Sequence, residues 1–304
     1  MAMNSQLIER FKASLGSARR ARTLNSEQQA AQDICLALDS NRFNFGLEPV
    51  HNLSNGTSQS TSSSQSKIDT RSPMEYLLRP AGPDGKSLEL GPGLTTLRQM
   101  GMSGQLDMVI IPRAIEQALS YGDAGLPVSV NIAPESMADS AFLTEMGTYL
   151  AGLSHRLTSP SEVVLEIPFN GRTSQEALAW MRQVQEMGFR IAIDNFGRYN
   201  PLEFQSVGSV KPAFVKLEGG LIKRALDGDT GSPSELRSIV EQVRRLSPES
   251  RLIAPWVTSV SQAKRLHDVY TIDAVQGRDL PRDRTYFSSQ WNLLMYSQNG
   301  PSQH

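Results

Sequence analysis

In "RIAIDNFGRY" (190–199) an apolar strand delivers a carboxylate, Asp194, and then an amide, Asn195. Hydrolysis by two metal ions would call for two acids in a row at such a point. A polar head emerging from an apolar run recurs along the chain: Asn131 follows "VSV", Glu166 follows "VVL", Lys216 follows "FV" and Gln276 follows "DAV". Each head is costly to bury without a partner, so such side chains belong together at one polar mouth. With Glu75 from "MEYLLRP" the group holds three carboxylates and one amide oxygen: Glu75, Asn131, Glu166 and Asp194. An oxygen-only set suits one hard divalent cation, Mg2+, Mn2+ or Ca2+, and does not suit a thiolate zinc site. Any one of these acids is equally well explained as a structural carboxylate paired with a lysine or with backbone amides.

Other chemistries find little support. His51, His155, His267 and His304 lie apart, without HExxH or HxH spacing. "GMSGQ" lacks the spacing of a nucleophile elbow, and "LDGDTGSP" has too few ligands for a calcium loop.

The elements that must position these residues are short apolar runs: 43–50, 74–80, 127–133, 162–168, 190–196, 214–218, 251–257 and 272–278. Between them, stretches such as "SQEALAWMRQVQEMG" and "PSELRSIVEQVRRL" carry apolar residues at helical spacing. Strand and helix alternating about eight times predict an α/β fold closed as a (β/α)8 TIM-like barrel, whose chemistry sits at the C-terminal ends of the strands. An open doubly wound sheet is the alternative, with no GxGxxG turn to support it. From Ser26 a capped amphipathic helix is expected, with Ala31, Ile34, Cys35 and Leu38 on one face.

Residues 1–25 are locally basic, with Arg10, Lys12, Arg19, Arg20 and Arg22 against Glu9, and read as a solvated arm or linker. The Ser/Thr-rich tract 52–72 cannot bury enough apolar surface to offset its ordering entropy and reads as a flexible loop. The tail 291–304 reads as frayed, leaving 26–290 as the domain.

The 304 residues are 39% hydrophobic and 20% charged, which places the chain in the globular class. A formal net charge of -1 gives no basic field for a nucleic acid polymer. The single cysteine, Cys35, excludes an internal disulfide, and no run approaches the ~20 apolar residues of a membrane helix, so a cytoplasmic setting is expected. "MAMN" looks as much like a cloning scar as a natural start, which leaves an upstream domain or a membrane tether open.

"MEYLLRP" resembles the Glu-Ala-Leu-Leu-Arg signature of the EAL domain, a family that binds and commonly hydrolyses the second messenger cyclic di-GMP. The resemblance runs in order from about Ser26 to Gln290. "FGLEPV" is similar to the family's Tyr-Gln-Pro strand, "SVNIAP" to Val-Asn-Leu-Ser, "LEIPF" to Glu-Leu-Thr-Glu and "IDNFG" to Asp-Asp-Phe-Gly. "VKLE" is similar to Lys-Ile-Asp, "IAPWVTS" to Ala-Glu-Gly-Val-Glu-Thr and "VQG" to Gln-Gly. The resemblance implies the family's modified barrel, in which the first strand runs antiparallel to the rest.

The departures bear on catalysis. The carboxylate that helps activate water in active members corresponds to Pro255, and the second glutamate of that segment to Thr258. The acid serving the second metal corresponds to Asn195, the glutamate that steadies the metal-organising loop to Phe169, and the loop itself is the shorter "GRYNPL". Glu48 replaces the opening glutamine, and Lys-Ile-Asp ends in Glu218. General-base catalysis contributes ~10²–10⁴-fold, so losing the base together with the second metal site leaves little expected turnover.

Ligand contacts are a separate matter. By resemblance Arg79 grips a ligand phosphate and Asp107 receives a guanine edge; the backbone and apolar edges at Leu77 and Leu78 would flank a base, and Trp256 offers a stacking face or else is core. Glu75, Asn131, Asp194, Lys216, Gln276 and Gly277 complete the expected set. The reading is a catalytically inactive cyclic di-GMP receptor that needs no cofactor, with a single divalent ion allowed at Glu75, Asn131, Glu166 and Asp194. It would report to a protein partner in motility, adhesion or biofilm signalling, and EAL domains often pair as homodimers. Two alternatives are an interaction module that has also lost the nucleotide and a weak phosphodiesterase using Glu218 as its base.

Overall fold

The computed structural model describes residues 7–15, 24–53, 73–120, 127–157, 159–168, 174–197, 201–228, 231–277 and 280. Eight strands close a barrel in chain order: β1 (Phe43–Asn52), β2 (Met74–Pro80), β3 (Val128–Asn131), β4 (Val163–Pro168), β5 (Arg190–Phe196), β6 (Phe214–Leu217), β7 (Arg251–Ala254) and β8 (Ala274–Gln276). β1 is antiparallel to both its neighbours, β2 and β8, and the other pairs are parallel. This is the α/β barrel with an antiparallel first strand that the motifs imply.

The helices are α1 (Leu7–Ser14), α2 (Ser26–Asp39), α3 (Leu90–Gln99), α4 (Ser103–Leu119), α5 (Ser140–Ser154), α6 (Gln175–Glu186), α7 (Pro201–Val210), α8 (Gly219–Asp227), α9 (Ser232–Leu246) and α10 (Val260–Tyr270). Their apolar stripes cover the barrel. In α6, for example, Ala177, Leu178, Trp180, Met181 and Val184 are buried at helical spacing, and Ser174 caps the first turn.

Inside the barrel, strand alternation sets two layers. Val50, Val164, Ala192, Phe214, Ile253 and Ala274 pack as an apolar plug. Two residues further along four of these strands, on the same face, stand Glu166, Asp194, Lys216 and Gln276. A period of two thus places a polar layer directly on an apolar floor, at the end of the barrel where the parallel strands finish.

Several boundaries differ from the sequence reading. β7 stops at Ala254, because Pro255 has no N–H to give a neighbour and Trp256 turns to a φ of 62°. β3 and β8 are also shorter than their apolar runs, while β1 extends to Asn52. The cap of α2 is Asn25 rather than Ser26: its side chain accepts from the Gln28 N–H, and Gln28 answers on the Asn25 N–H. Residues 7–14, read as part of a solvated arm, form α1. Its Leu7 and Phe11 are buried, and the Leu7 and Ile8 N–H groups donate to the Asp39 carboxylate at the end of α2. The expected loop beyond Leu53 and the tail 291–304 lie outside the described residues.

Candidate functional site

The polar layer is wired around one cation. Lys216 on β6 places Nζ 2.8 Å from Glu75 Oε2 and 3.1 Å from Glu166 Oε2. Gln276 Nε2 also donates to Glu75 Oε2, at 2.6 Å, and Asn131 Nδ2 donates to Glu75 Oε1 at 2.7 Å. Ser129 Oγ donates to Glu166 Oε1 at 2.5 Å. Five strands, β2, β3, β4, β6 and β8, therefore meet at two carboxylates, and every oxygen of Glu75 and Glu166 accepts from a protein donor. Ser129 escaped the sequence reading, although its place two residues before Asn131 in "VSVN" puts it on the same face.

The electrostatics follow from this wiring. Burial alone would raise the Glu75 pKa, but Lys216, Gln276 and Asn131 outweigh it and hold the group below the ordinary carboxylate value. Glu166 is buried more completely and is pushed up to about 7; burial is the main cause, Glu75 and Asp194 add to it, and Lys216 and Ser129 oppose it. Burial works against charge on Lys216 too, yet Glu166, Glu75 and Asp194 together raise its pKa above the usual lysine value, so the ammonium is held charged.

Asp194 and Asn195 lie at a register shift between β5 and β6, between Ile193 and Phe196. Asn195 has a φ of 58°, a left-handed conformation that asparagine tolerates better than most side chains, and Gly197 follows at 111°. The Gly197 N–H donates to the buried Glu203 on α7 at 3.0 Å, which ties down the start of the shortened loop. Phe169 and residues 198–200 lie outside the described residues.

Glu75, Asn131 and Glu166 of the expected cation set are hydrogen-bonded to the protein's own groups. Glu75 and Asn131 face each other through the asparagine's amide nitrogen, and Lys216 stands between Glu75 and Glu166. Among the described residues no three His, Cys, Asp or Glu side chains are arranged to hold a metal ion. A divalent ion would first have to displace the ammonium from its two carboxylates.

The remaining expected ligand residues divide. Arg79 is half-buried on β2, donates Nη1 to the Leu78 carbonyl, and lies over Gly46 of β1, where an added methyl group would come within 3.0 Å of Nε. Gly46 thus makes room for the guanidinium, a role its sequence context does not signal. Leu77 shares the inner face with Glu75 and Arg79, whereas the Leu78 side chain is buried in the core outside the barrel, so Leu78 offers only its backbone at the mouth. Asp107 on α4 is buried with Oδ2 accepting from the Ala133 N–H at 2.8 Å and from Ser136 Oγ at 2.7 Å. Burial pushes its pKa up to about 6. It braces the segment that follows Asn131.

Pro255 is buried, and Thr258 is turned outward onto Gln262. Glu218 caps α8, its Oε2 accepting the Leu221 N–H at 2.6 Å. Gly277 has a packing reason: a methyl group there would fall 1.8 Å from the Val257 carbonyl oxygen. Trp256 is 67% exposed, which excludes the core alternative.

The fold and motifs agree with known proteins. The first 153-residue match is to the cyclic di-GMP phosphodiesterase PdeF of Escherichia coli (strain K12), 24% identical and covering 49% of this chain but 20% of that protein. The LapD S helix-GGDEF-EAL structure of Vibrio cholerae bound to c-di-GMP is similar with a TM-score of 0.69 and 21% identity, over 85% of this chain and 58% of that one. The FimX EAL domain from Pseudomonas aeruginosa bound to c-di-GMP gives 0.63 and 19%, over 84% and 95%. The PaMucR phosphodiesterase in its c-di-GMP complex gives 0.66 and 22%, over 84% and 96%. The chain thus spans a fifth of the curated relative and under two thirds of the LapD structure, while matching EAL domains nearly end to end. At these identities the structures speak for the fold, and the family itself is given by the model of the EAL domain, which matches residues 65–280: the chain belongs to the EAL domain family.

Proposed function

We propose that this chain is a catalytically inactive EAL-type receptor for cyclic di-GMP that reports the nucleotide to a protein partner in motility, adhesion or biofilm signalling. The observation that carries this reading is the buried Pro255, with neither acid nor base where the resemblance expects a water-activating carboxylate. The amide Asn195, in place of the acid expected for a second metal, supports it. Lys216 supplies a fixed positive charge at the floor of the mouth, so nucleotide binding in this reading requires no metal.

Arg79, open enough to meet solvent and lodged over Gly46, offers a planar fork for a ligand phosphate. Asp107 is reserved for a guanine edge, at the expense of its bonds to Ala133 and Ser136. Leu77, Asn131, Asp194 and Gln276 line the mouth around them. The LapD, FimX and PaMucR structures each hold c-di-GMP, which supports the same ligand here. The compartment in this reading is the cytoplasm: the one cysteine, Cys35, is free and buried, and among the described residues no helix is long and apolar enough to cross a membrane. A homodimer and an upstream domain or tether belong to the same proposal.

A nucleotide-independent interaction module is favoured by one observation. Glu48 on β1 stands in register opposite Glu75 and adds negative charge beside the phosphate position. A weak phosphodiesterase finds less support, because Glu218 is committed to capping α8.

Calorimetric titration of the parent protein and Arg79→Ala with cyclic di-GMP tests the reading. Binding by the parent that falls at least ten-fold in the variant supports the receptor. No binding by folded parent protein removes it and leaves the interaction module.

A further inference from the structure

We infer that Glu48 is a charge selector at the mouth, which admits the phosphodiesters of a cyclic dinucleotide and turns away nucleotides that end in a phosphate monoester. The inference rests on the receptor reading and deepens it, since it says which phosphate chemistry the site refuses.

The placement of Glu48 follows from strand alternation. Val50 belongs to the apolar plug, so Glu48, Gly46 and Asn44 of β1 share its inner face. Across the antiparallel pair these three stand in register with Glu75, Leu77 and Arg79. Glu48 is half-buried there. Two carboxylates directly opposite each other on one face, with Cβ atoms about 5 Å apart, weaken the pairing of their strands. A glutamine of the same length would not. A charge kept against the interest of the sheet is better explained by what enters the mouth than by the fold.

The mouth has little positive charge to spare. Among the described strand residues that face it, the cations are Lys216 and Arg79, and Lys216 is already matched by Glu75 and Glu166. Against these two cations stand Glu48, Glu75, Glu166 and Asp194. Even with a proton on Glu166, the carboxylates outnumber the cations. Arg79 is left to meet a ligand phosphate, and any further negative charge goes unanswered.

Glu48 is close enough to act on that phosphate. The Arg79 guanidinium lies over Gly46, two residues along β1 from Glu48. At roughly 3.3 Å per extended residue the separation is about 7 Å, within the Debye length of about 8 Å at physiological salt. A phosphodiester brings one negative charge, whereas a terminal monoester brings about −1.5 to −2 at pH 7. The added charge, facing Glu48 across a partly desolvated mouth, lowers affinity on the order of ten-fold. Opening one ring phosphodiester of cyclic di-GMP leaves a linear dinucleotide with such a monoester. The selector therefore lets the site read the cyclic messenger and disregard its linear form.

The test titrates the parent and Glu48→Gln calorimetrically with cyclic di-GMP and with the linear dinucleotide, at low and at high salt, and follows thermal unfolding of both proteins. The parent is expected to bind the cyclic form at least about ten-fold more tightly than the linear one. Glu48→Gln is expected to close most of that gap by gaining affinity for the linear form, with a Tm equal to the parent's or above it. High salt is expected to narrow the gap in the parent and to change it little in the variant, a response that a merely structural glutamate would not give. An unchanged cyclic-to-linear ratio in Glu48→Gln would overturn the selector and leave the receptor standing. Cyclic di-GMP binding by Glu48→Gln alone, or by neither protein, would overturn both.

Discussion

Lys216 Nζ and Glu75 Oε2, from residues 141 apart in sequence, meet at 2.8 Å in the buried centre of the barrel mouth. Around this pair every oxygen of Glu75 and Glu166 accepts from one of the protein's own donors. Taking a charge out of water is expensive, and here the cost is met by mutual pairing of one ammonium with two carboxylates.

Removing that ammonium leaves two buried carboxylates facing each other. Lys216→Met is expected to lose about 3–5 kcal/mol of stability at pH 8. The loss at pH 5 is expected to be smaller, because Glu166 can then carry a proton. Urea unfolding at the two pH values measures both; equal losses would mean that the pair does not hold the charges described.

Glu166 gives the fold a definite pH slope. Its pKa rises from 4.5 unfolded to about 7 folded, so the folded state binds the proton more tightly. The stabilising contribution is complete below about pH 4.5 and is lost as the pH climbs through about 7. Asp107, also raised, slopes the same way. Glu166→Gln keeps one acceptor oxygen, which can serve Lys216, and removes the titration. The parent-minus-variant difference in unfolding free energy is expected to change by on the order of 2 kcal/mol between pH 5 and 8, falling as pH rises. A flat difference would contradict the assignment.

Gly46 leaves space for the Arg79 guanidinium, with an added methyl group 3.0–3.3 Å from its atoms. Gly46→Leu is expected to push the guanidinium aside and weaken cyclic di-GMP binding by about ten-fold, the scale of one charge-assisted hydrogen bond. Its effect on Tm should be small, because the far end of a flexible side chain can move. Unchanged affinity would show that Arg79 is not the phosphate contact.

The barrel and its polar layer are legible in the sequence for a physical reason. Strand alternation has a period of two, so Val164 and Glu166, or Phe214 and Lys216, share a face whatever the rest of the chain does. The direction of β1 carries no such signature and came from the motif resemblance. The wiring is not legible either: Gln276 reaches Glu75 across 201 residues, and only barrel closure brings them together. Charge masked α1, where Arg10 and Lys12, with three more arginines by residue 22, drew attention from Leu7 and Phe11, an i, i+4 pair that docks on α2. Proline at 255 was plain in the sequence, but the left-handed turn of Trp256 beside it required the backbone.

The central claim of the proposal is that the site binds cyclic di-GMP without a metal ion and without turning it over. It is tested most directly by calorimetric titration with cyclic di-GMP in EDTA and again in excess Mg2+, with the cell contents checked for the linear dinucleotide afterwards. The account predicts the same affinity in both buffers and an intact cyclic ligand. Binding that appears only with Mg2+, or conversion of the ligand to its linear form, would contradict it.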